Sequence, residues 1–315
     1  MKKNLLGNTI LKISPLIFGG NVFGWTLNEK ESFEMLDAIT ELGINCIDTA
    51  DVYSRWVDGN SGGESERIIG KWMKERGNRK DIILCTKVGM DMGQGGVDIS
   101  EKHIKKSIDN SLNRLQTDYI NLYYAHKDDE KTPPEETLGA FKDLIKERKV
   151  QYIGASNFSA KRLRESLEVS RVNDLPAYTV FQPEYNLLER SKFEGEIETI
   201  CMEVNLGVAT YFSLASGLLT GKYTSEKDIE NSSRTSYVKK HWNERTKKII
   251  KTVNSIAETH NVSPAAVALS WVLHRPAVSA PIVSATKKEH LTAFKEAAVL
   301  ELTLSEIETL NNISA

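Results

Sequence analysis

The chain has 315 residues with a formal net charge of −2; 40% are hydrophobic and 27% charged, enough to bury a large core beneath a solvated surface. That balance gives no broad electrostatic pull toward nucleic acid or an anionic membrane, so any anionic ligand has to be captured by local lysines or backbone N–H groups. No stretch reaches the roughly 18 apolar residues of a membrane span, and Met1–Lys2–Lys3–Asn4–Leu5–Leu6–Gly7 lacks the apolar run of a signal peptide.

In chain order, Leu5–Leu6–Gly7–Asn8–Thr9–Ile10–Leu11 reads as a short hairpin with Gly7–Asn8 at its turn. Strand-like runs follow at Leu16–Gly19, Asn45–Asp48, Ile82–Lys87, Ile120–His126, Val150–Ser156, Thr179–Gln182, Val208–Tyr211 and Ala280–Ser284. Most are continuous apolar or β-branched stretches, the pattern of parallel strands covered by helices. Between them, Phe33, Leu36, Ile39 and Leu42, then Ile104, Ile108, Leu112 and Leu115, then Leu138, Phe141 and Ile145 each mark one apolar helix face. Ser100 and Ser159 suit helix starts, and Gly43 and Gly207 helix stops.

Eight strands alternating with helices predict a (β/α)8 barrel with an N-terminal hairpin. An open dinucleotide fold is disfavoured because Gly19–Gly20 lacks the third glycine of GxGxxG. With no Pro/Gly-rich linker, residues 1–315 are expected to form a single domain. One interval breaks the rhythm: Tyr211 to Ser284 spans 73 residues, with the polar stretch Thr224–Lys240 and two helical patterns, Ile249–Ile256 and Ala265–Trp271. It is expected as a long loop after the seventh strand, either a ligand cover or a surface insertion. Cys46, Cys85 and Cys201, odd in number and flanked by apolar residues, are expected as buried free thiols in a reducing cytoplasm. Without a CxxC pair, no structural metal site is expected.

In such a barrel the active site lies at the C-terminal ends of the strands. Asp48, Lys87, His126, Ser156, Gln182 and Tyr211 each end a different predicted strand, from the second to the seventh, and Tyr53 follows Asp48 by five residues. A phenol is a weak acid, titrating near ~10. A neighbouring Lys87 ammonium is expected to lower that value, Asp48 to hold the lysine, and His126 to orient a carbonyl oxygen. The set suits general-acid assistance to nucleophilic addition at a carbonyl. Lys87 as a Schiff-base nucleophile is the competing chemistry.

None of these groups carries a hydride, so a reductase needs a cofactor. Ser156, Asn157 and Gln182 suit a carboxamide, and Tyr211 offers an aromatic face to a flat ring. The small-residue run Ser213–Lys222 either wraps a pyrophosphate or is a plain strand-to-helix loop. Thr286–Lys287–Lys288 follows the eighth strand, where barrels often hold phosphate.

These motifs resemble the aldo-keto reductase superfamily, in its bacterial and potassium-channel β-subunit-like branch. The similarity runs through Gly43–Ile44–Asn45–Cys46–Ile47–Asp48–Thr49–Ala50–Asp51–Val52–Tyr53, Thr86–Lys87, Leu122–His126, Gly154–Phe158, Phe181–Leu188, Tyr211–Tyr223 and Ala280–Leu291. The resemblance implies a barrel that binds NADP(H) without a dinucleotide fold and a catalytic tetrad of Asp48, Tyr53, Lys87 and His126. It implies Ser156, Asn157 and Gln182 on the carboxamide, Tyr211 on the nicotinamide, and Ser213, Leu214, Gly217 and Lys222 toward the pyrophosphate. Ser284, Thr286, Lys287, Lys288 and His290 complete the implied cofactor set.

Two departures stand out. Many relatives place Arg, Glu and Asn at the adenine end, where this chain has His290, Ala293 and Phe294; Lys287 and Lys288 are point charges that partly replace the arginine. NADPH is the preferred cofactor, with NADH open. Many relatives also follow the catalytic histidine with tryptophan, whereas Lys127 and Asp128 make the pocket mouth of this chain polar. Phe23, Trp25 and Trp56 are expected either as an aromatic wall for substrate or as packing on the barrel rim. The expected partner is a small carbonyl compound, with no nucleic acid and no membrane, and the oligomeric state is open. A nicotinamide-nucleotide-binding regulatory subunit with slow reductase activity is the alternative from another class.

Overall fold

The computed structural model describes residues 1–223, 228–229 and 235–315. A two-stranded antiparallel hairpin, β1 (Asn4–Leu5) and β2 (Lys12–Ile13), precedes a closed all-parallel barrel. The barrel strands are β3 (Ile17–Gly19), β4 (Cys46–Asp48), β5 (Ile83–Val88), β6 (Ile120–Ala125), β7 (Val150–Ser156), β8 (Val180–Gln182), β9 (Gly207–Thr210) and β10 (Ala280–Val283), with β10 pairing both β9 and β3. All eight strand-like runs of the sequence are strands, with ends shifted by a residue or so.

The alternation of side chains along a strand explains both the core and the site. Cys46, Cys85, Leu122, Tyr124, Val180, Ala209 and Ile282 form one apolar layer inside the barrel, while Ile47, Leu84, Tyr123, Phe181 and Val208 pack outward under the helices. Two residues further along each strand is the next inward position: Asp48, Lys87, His126, Gln182, Tyr211 and Ser284. The site therefore rests on a dry floor. Gly154 makes room in that floor, because a Cβ there would lie 2.5 Å from the Tyr124 ring.

The covering helices start and stop as their ends dictate. Helix α1 (Glu29–Glu41) begins with a capping box from Asn28 and Glu31. Helix α2 is Glu64–Arg76; α3 (Glu101–Leu115) is capped by Ser100; α4 is Pro134–Lys146; and α5 (Ala160–Val172) is capped by Ser159. Gly43 follows α1 in the left-handed region at φ +92°, a conformation that favours glycine. Gly207 is no helix stop. It opens β9, where a Cβ would sit 2.9 Å from Gly7 N, and a Cβ on Gly7 would sit 2.1 Å from Gly207 N. The hairpin thus seats backbone against backbone under the barrel.

The described residues of the long segment after the seventh barrel strand are mostly helical. A short 3-10 segment, Ala215–Thr220, is followed by helices at Thr235–His241, Glu244–His260 and Pro264–Leu273. Most of the first part of the polar stretch Thr224–Lys240 lies outside the described residues. The three cysteines are free and buried. Among the described residues no helix is long and apolar enough to cross a membrane.

Candidate active site

Four side chains meet at the barrel mouth. Lys87 Nζ donates to Asp48 Oδ2 at 2.5 Å, to the Thr49 carbonyl at 2.8 Å and to Tyr53 Oη at 2.8 Å, which uses all three ammonium hydrogens. Tyr53 Oη lies 3.3 Å from the same carboxylate oxygen. Both partners of the ion pair are buried, with side-chain exposures of 0% and 2%. The His126 ring meets the Tyr53 ring edge-on at 6.1 Å, completing the tetrad expected from the sequence. Thr49 is a partner the sequence could not flag, because it contributes a backbone oxygen.

The electrostatics correct one expectation. Burial is the largest influence on Tyr53 and pushes its phenol up to about 12; Lys87 pulls it down as expected but does not prevail, and Asp48 pushes it up. Lys87 itself is held above its ordinary value: burial opposes its charge, and Asp48 and Tyr53 more than compensate. Burial, then the Lys87 charge, hold His126 well below 6.5, so the imidazole is neutral at physiological pH. Its Nδ1 is buried without a hydrogen-bond partner among the described residues.

The residues expected to hold a carboxamide converge beside the tetrad. Ser156 and Gln182 are register partners at the ends of β7 and β8, and the Ser156 hydroxyl donates to the Gln182 backbone carbonyl at 2.8 Å. Asn157, in the left-handed region at φ +55°, donates to Ser156 Oγ and to the His126 carbonyl, each at 3.0 Å. Tyr211 Oη donates to Asn157 Oδ1 at 2.8 Å, tying the ring to this group. Gln182 Nε2 donates to Asp48 Oδ1 at 3.0 Å.

After β9 the backbone coils through positive φ at Phe212, Ala215, Ser216 and Gly217. Within this run the Ala215 and Gly217 N–H groups donate to the Phe212 and Leu214 carbonyls at 2.6 and 2.9 Å, so an anion there would be met by the remaining N–H groups. Ser213 Oγ is turned back onto Thr210, donating to its carbonyl at 3.0 Å, and is buried, so it offers its backbone rather than its hydroxyl; Leu214 is half-buried. Gly217 at φ +94° lets Lys222 cross it: a Cβ there would lie 2.9 Å from Lys222 Nζ. Across the mouth, Ser284 Oγ lies 2.7 Å from both the Gly19 carbonyl and Asn21 Oδ1, and Asn21 is a partner sequence reading missed. Thr286, Lys287, Lys288 and His290 are exposed. Lys288 Nζ approaches Glu34 at 3.6 Å. Partial burial, then the charges of Lys222 and Lys287, hold His290 below 6.5.

The expected substrate wall is only partly assembled. Trp56 is 51% exposed, and its ring stands edge-on to Trp25 at 5.6 Å and to Tyr53 at 6.1 Å. Phe23 is fully buried and stacks on Phe18 at 5.6 Å, so it packs the rim and does not line the mouth. Lys127 is exposed. Asp128 adds little free charge there, because Arg162 Nε holds it at 2.9 Å with both side chains largely buried.

The sequence profile of the Aldo/keto reductase family matches residues 15–315. The "Uncharacterized oxidoreductase YrpG" of Bacillus subtilis (strain 168) is 33% identical over 99% of this chain and 96% of its own length. The "Aldo-keto reductase YhdN" of the same organism is 34% identical over 94% of this chain and 86% of its own. A "Probable voltage-gated potassium channel subunit beta" of Oryza sativa subsp. japonica is 34% identical over 92% of this chain and 89% of its own.

Proposed function

The chain belongs to the aldo/keto reductase family, and we propose that its single barrel domain reduces aldehydes or ketones to alcohols with NADPH. The observation that carries this reading is the buried Lys87 ammonium, which bonds Asp48 and Tyr53 together at the barrel mouth.

The residues around the tetrad fit a nicotinamide nucleotide. Ser156, Asn157 and Gln182 suit the carboxamide, and the Tyr211 ring suits the nicotinamide face. The coil from Ser213 to Gly217, crossed by Lys222, suits the pyrophosphate, and Lys287, Lys288 and His290 favour a further phosphate at the adenosine end, hence NADPH over NADH. When bound, the cofactor supplies the hydride that adds to the carbonyl carbon.

The chain supplies the proton. Tyr53, protonated at neutral pH because burial holds its phenol near about 12, gives its proton to the carbonyl oxygen as charge builds there. Lys87, held charged by Asp48, stabilises the phenolate left behind. His126, neutral at physiological pH, adds a hydrogen-bonding group without a competing charge. Trp25 and Trp56 border the substrate side, with Lys127 at its edge.

The test is NADPH oxidation by the purified chain across a set of aldehydes, with Tyr53→Phe alongside. The variant is expected to bind NADPH normally and lose about 10²–10⁴-fold in turnover. Absence of any oxidation, or turnover indifferent to Tyr53→Phe, would refute the proposal. The potassium-channel name carried by the Oryza sativa relative, among others, favours a second reading, a nucleotide-binding regulatory subunit with slow chemistry. Single-turnover mixing of bound NADPH with an aldehyde separates slow hydride transfer from slow cofactor release.

A further inference from the structure

Gln182 ends β8 and reaches across the mouth to Asp48 at the end of β4. Both side chains are buried, and they lie 134 residues apart in sequence. A carboxylate only accepts hydrogen bonds, so the amide has to present its N–H end there. The two carboxylate oxygens are thereby divided: Oδ2 serves Lys87 and Tyr53, and Oδ1 serves Gln182. A carboxylate held at one oxygen alone can turn about its terminal torsion, which is broad and roughly two-fold. Any such turn would carry Oδ2 away from Lys87. The buried Tyr124 lies two positions below His126 on the same inward face and belongs to the apolar layer beneath this contact.

We propose that Gln182 is a positioning residue for the tetrad: its N–H end fixes the plane of the Asp48 carboxylate that presents Lys87 to Tyr53, and its amide oxygen is the end left for the cofactor. A neutral donor is suited to this task, since it secures the carboxylate without changing the net charge of the group. The proposal rests on the reductase reading, which by itself assigns Gln182 only to the cofactor.

Two variants separate the roles. Gln182→Glu keeps an acceptor oxygen for the cofactor but sets a carboxylate against Asp48; Gln182→Met keeps the length and removes every hydrogen bond. Each is compared with wild type in NADPH affinity by tryptophan fluorescence, in thermal midpoint, and in single-turnover hydride transfer at saturating cofactor, from about pH 6 to about pH 8. Gln182→Glu should bind NADPH within about threefold of wild type, yet transfer hydride at least about tenfold more slowly at the alkaline end. Its deficits in rate and thermal midpoint should both shrink on acidification, as the introduced carboxyl takes up a proton and donates as the amide did. Gln182→Met should lose both affinity and rate, with little dependence on pH.

Wild-type rate and melting in Gln182→Glu, or a loss confined to affinity, would overturn the positioning role. If Gln182→Glu folds only at the acidic end, that itself supports the contact; if it folds at neither end, Gln182→Met decides, and an unchanged rate there overturns the role. A wild-type protein that binds NADPH without reducing any aldehyde would end the reductase reading, whereas the pH dependence of melting would still decide the Asp48 contact.

Discussion

Replacing Lys87 with methionine removes the cation and leaves Asp48 buried beside two neutral donors, Gln182 Nε2 and Tyr53 Oη, at 3.0 and 3.3 Å. The Thr49 carbonyl and the Tyr53 oxygen each lose a donor at 2.8 Å. Breaking a buried pair from one side typically costs about 3–5 kcal/mol, because the remaining buried charge has lost its counter-ion. Full burial of the lysine and three lost hydrogen bonds place Lys87→Met toward the upper part of that range. Equilibrium urea unfolding near neutral pH, followed by tryptophan fluorescence, measures the loss. A second substitution sharpens the reasoning. Asp48→Asn combined with Lys87→Met removes both charges and should be more stable than Lys87→Met alone by about 1–3 kcal/mol. A Lys87→Met loss below about 1 kcal/mol, or a double variant no more stable than the single one, would refute the view that an uncompensated charge sets the cost.

Two further outcomes follow from other parts of the molecule. Gly70→Ala should lower the thermal midpoint, with a cost of about 1–3 kcal/mol from overpacking, because its Cβ would lie 2.3 Å from the Arg114 carbonyl where α2 packs on α3; an unchanged midpoint would contradict that packing. His126 should stay neutral as pH falls through about 6.5, because burial and the Lys87 charge hold it down, whereas the unfolded chain takes up a proton there. Its stabilising contribution is therefore complete above about 6.5 and is lost as pH falls toward its lowered folded value. Imidazole NMR of wild type against His126→Gln tests this, and titration near 6.5 would contradict it.

The barrel was legible because parallel strands buried on both faces leave continuous apolar runs, and Val150–Ser156 matches its predicted bounds. The site was legible because a period of two carries each run from a core residue to a polar one at the strand end, as from Cys46 to Asp48 or Cys85 to Lys87. Distant partners were not legible. That Tyr53 sits high despite Lys87 depends on desolvation, which spacing does not reveal. That Phe23 faces Phe18, and that Arg162 occupies Asp128, depends on contacts made only after the chain closes. Gly207 reads as a helix stop because its role depends on Gly7, two hundred residues earlier in the chain.

The seat of the N-terminal hairpin against Gly207 also bears on traffic. With its lower end stoppered and its middle filled by Cys46, Leu122, Tyr124 and Val180, the barrel leaves its mouth as the doorway among the described residues. If a nucleotide and a carbonyl compound both react there, they must share that doorway, and whichever lies deeper has to arrive first and depart last. The order of a two-substrate reaction would then be dictated by a plug at the opposite end of the protein.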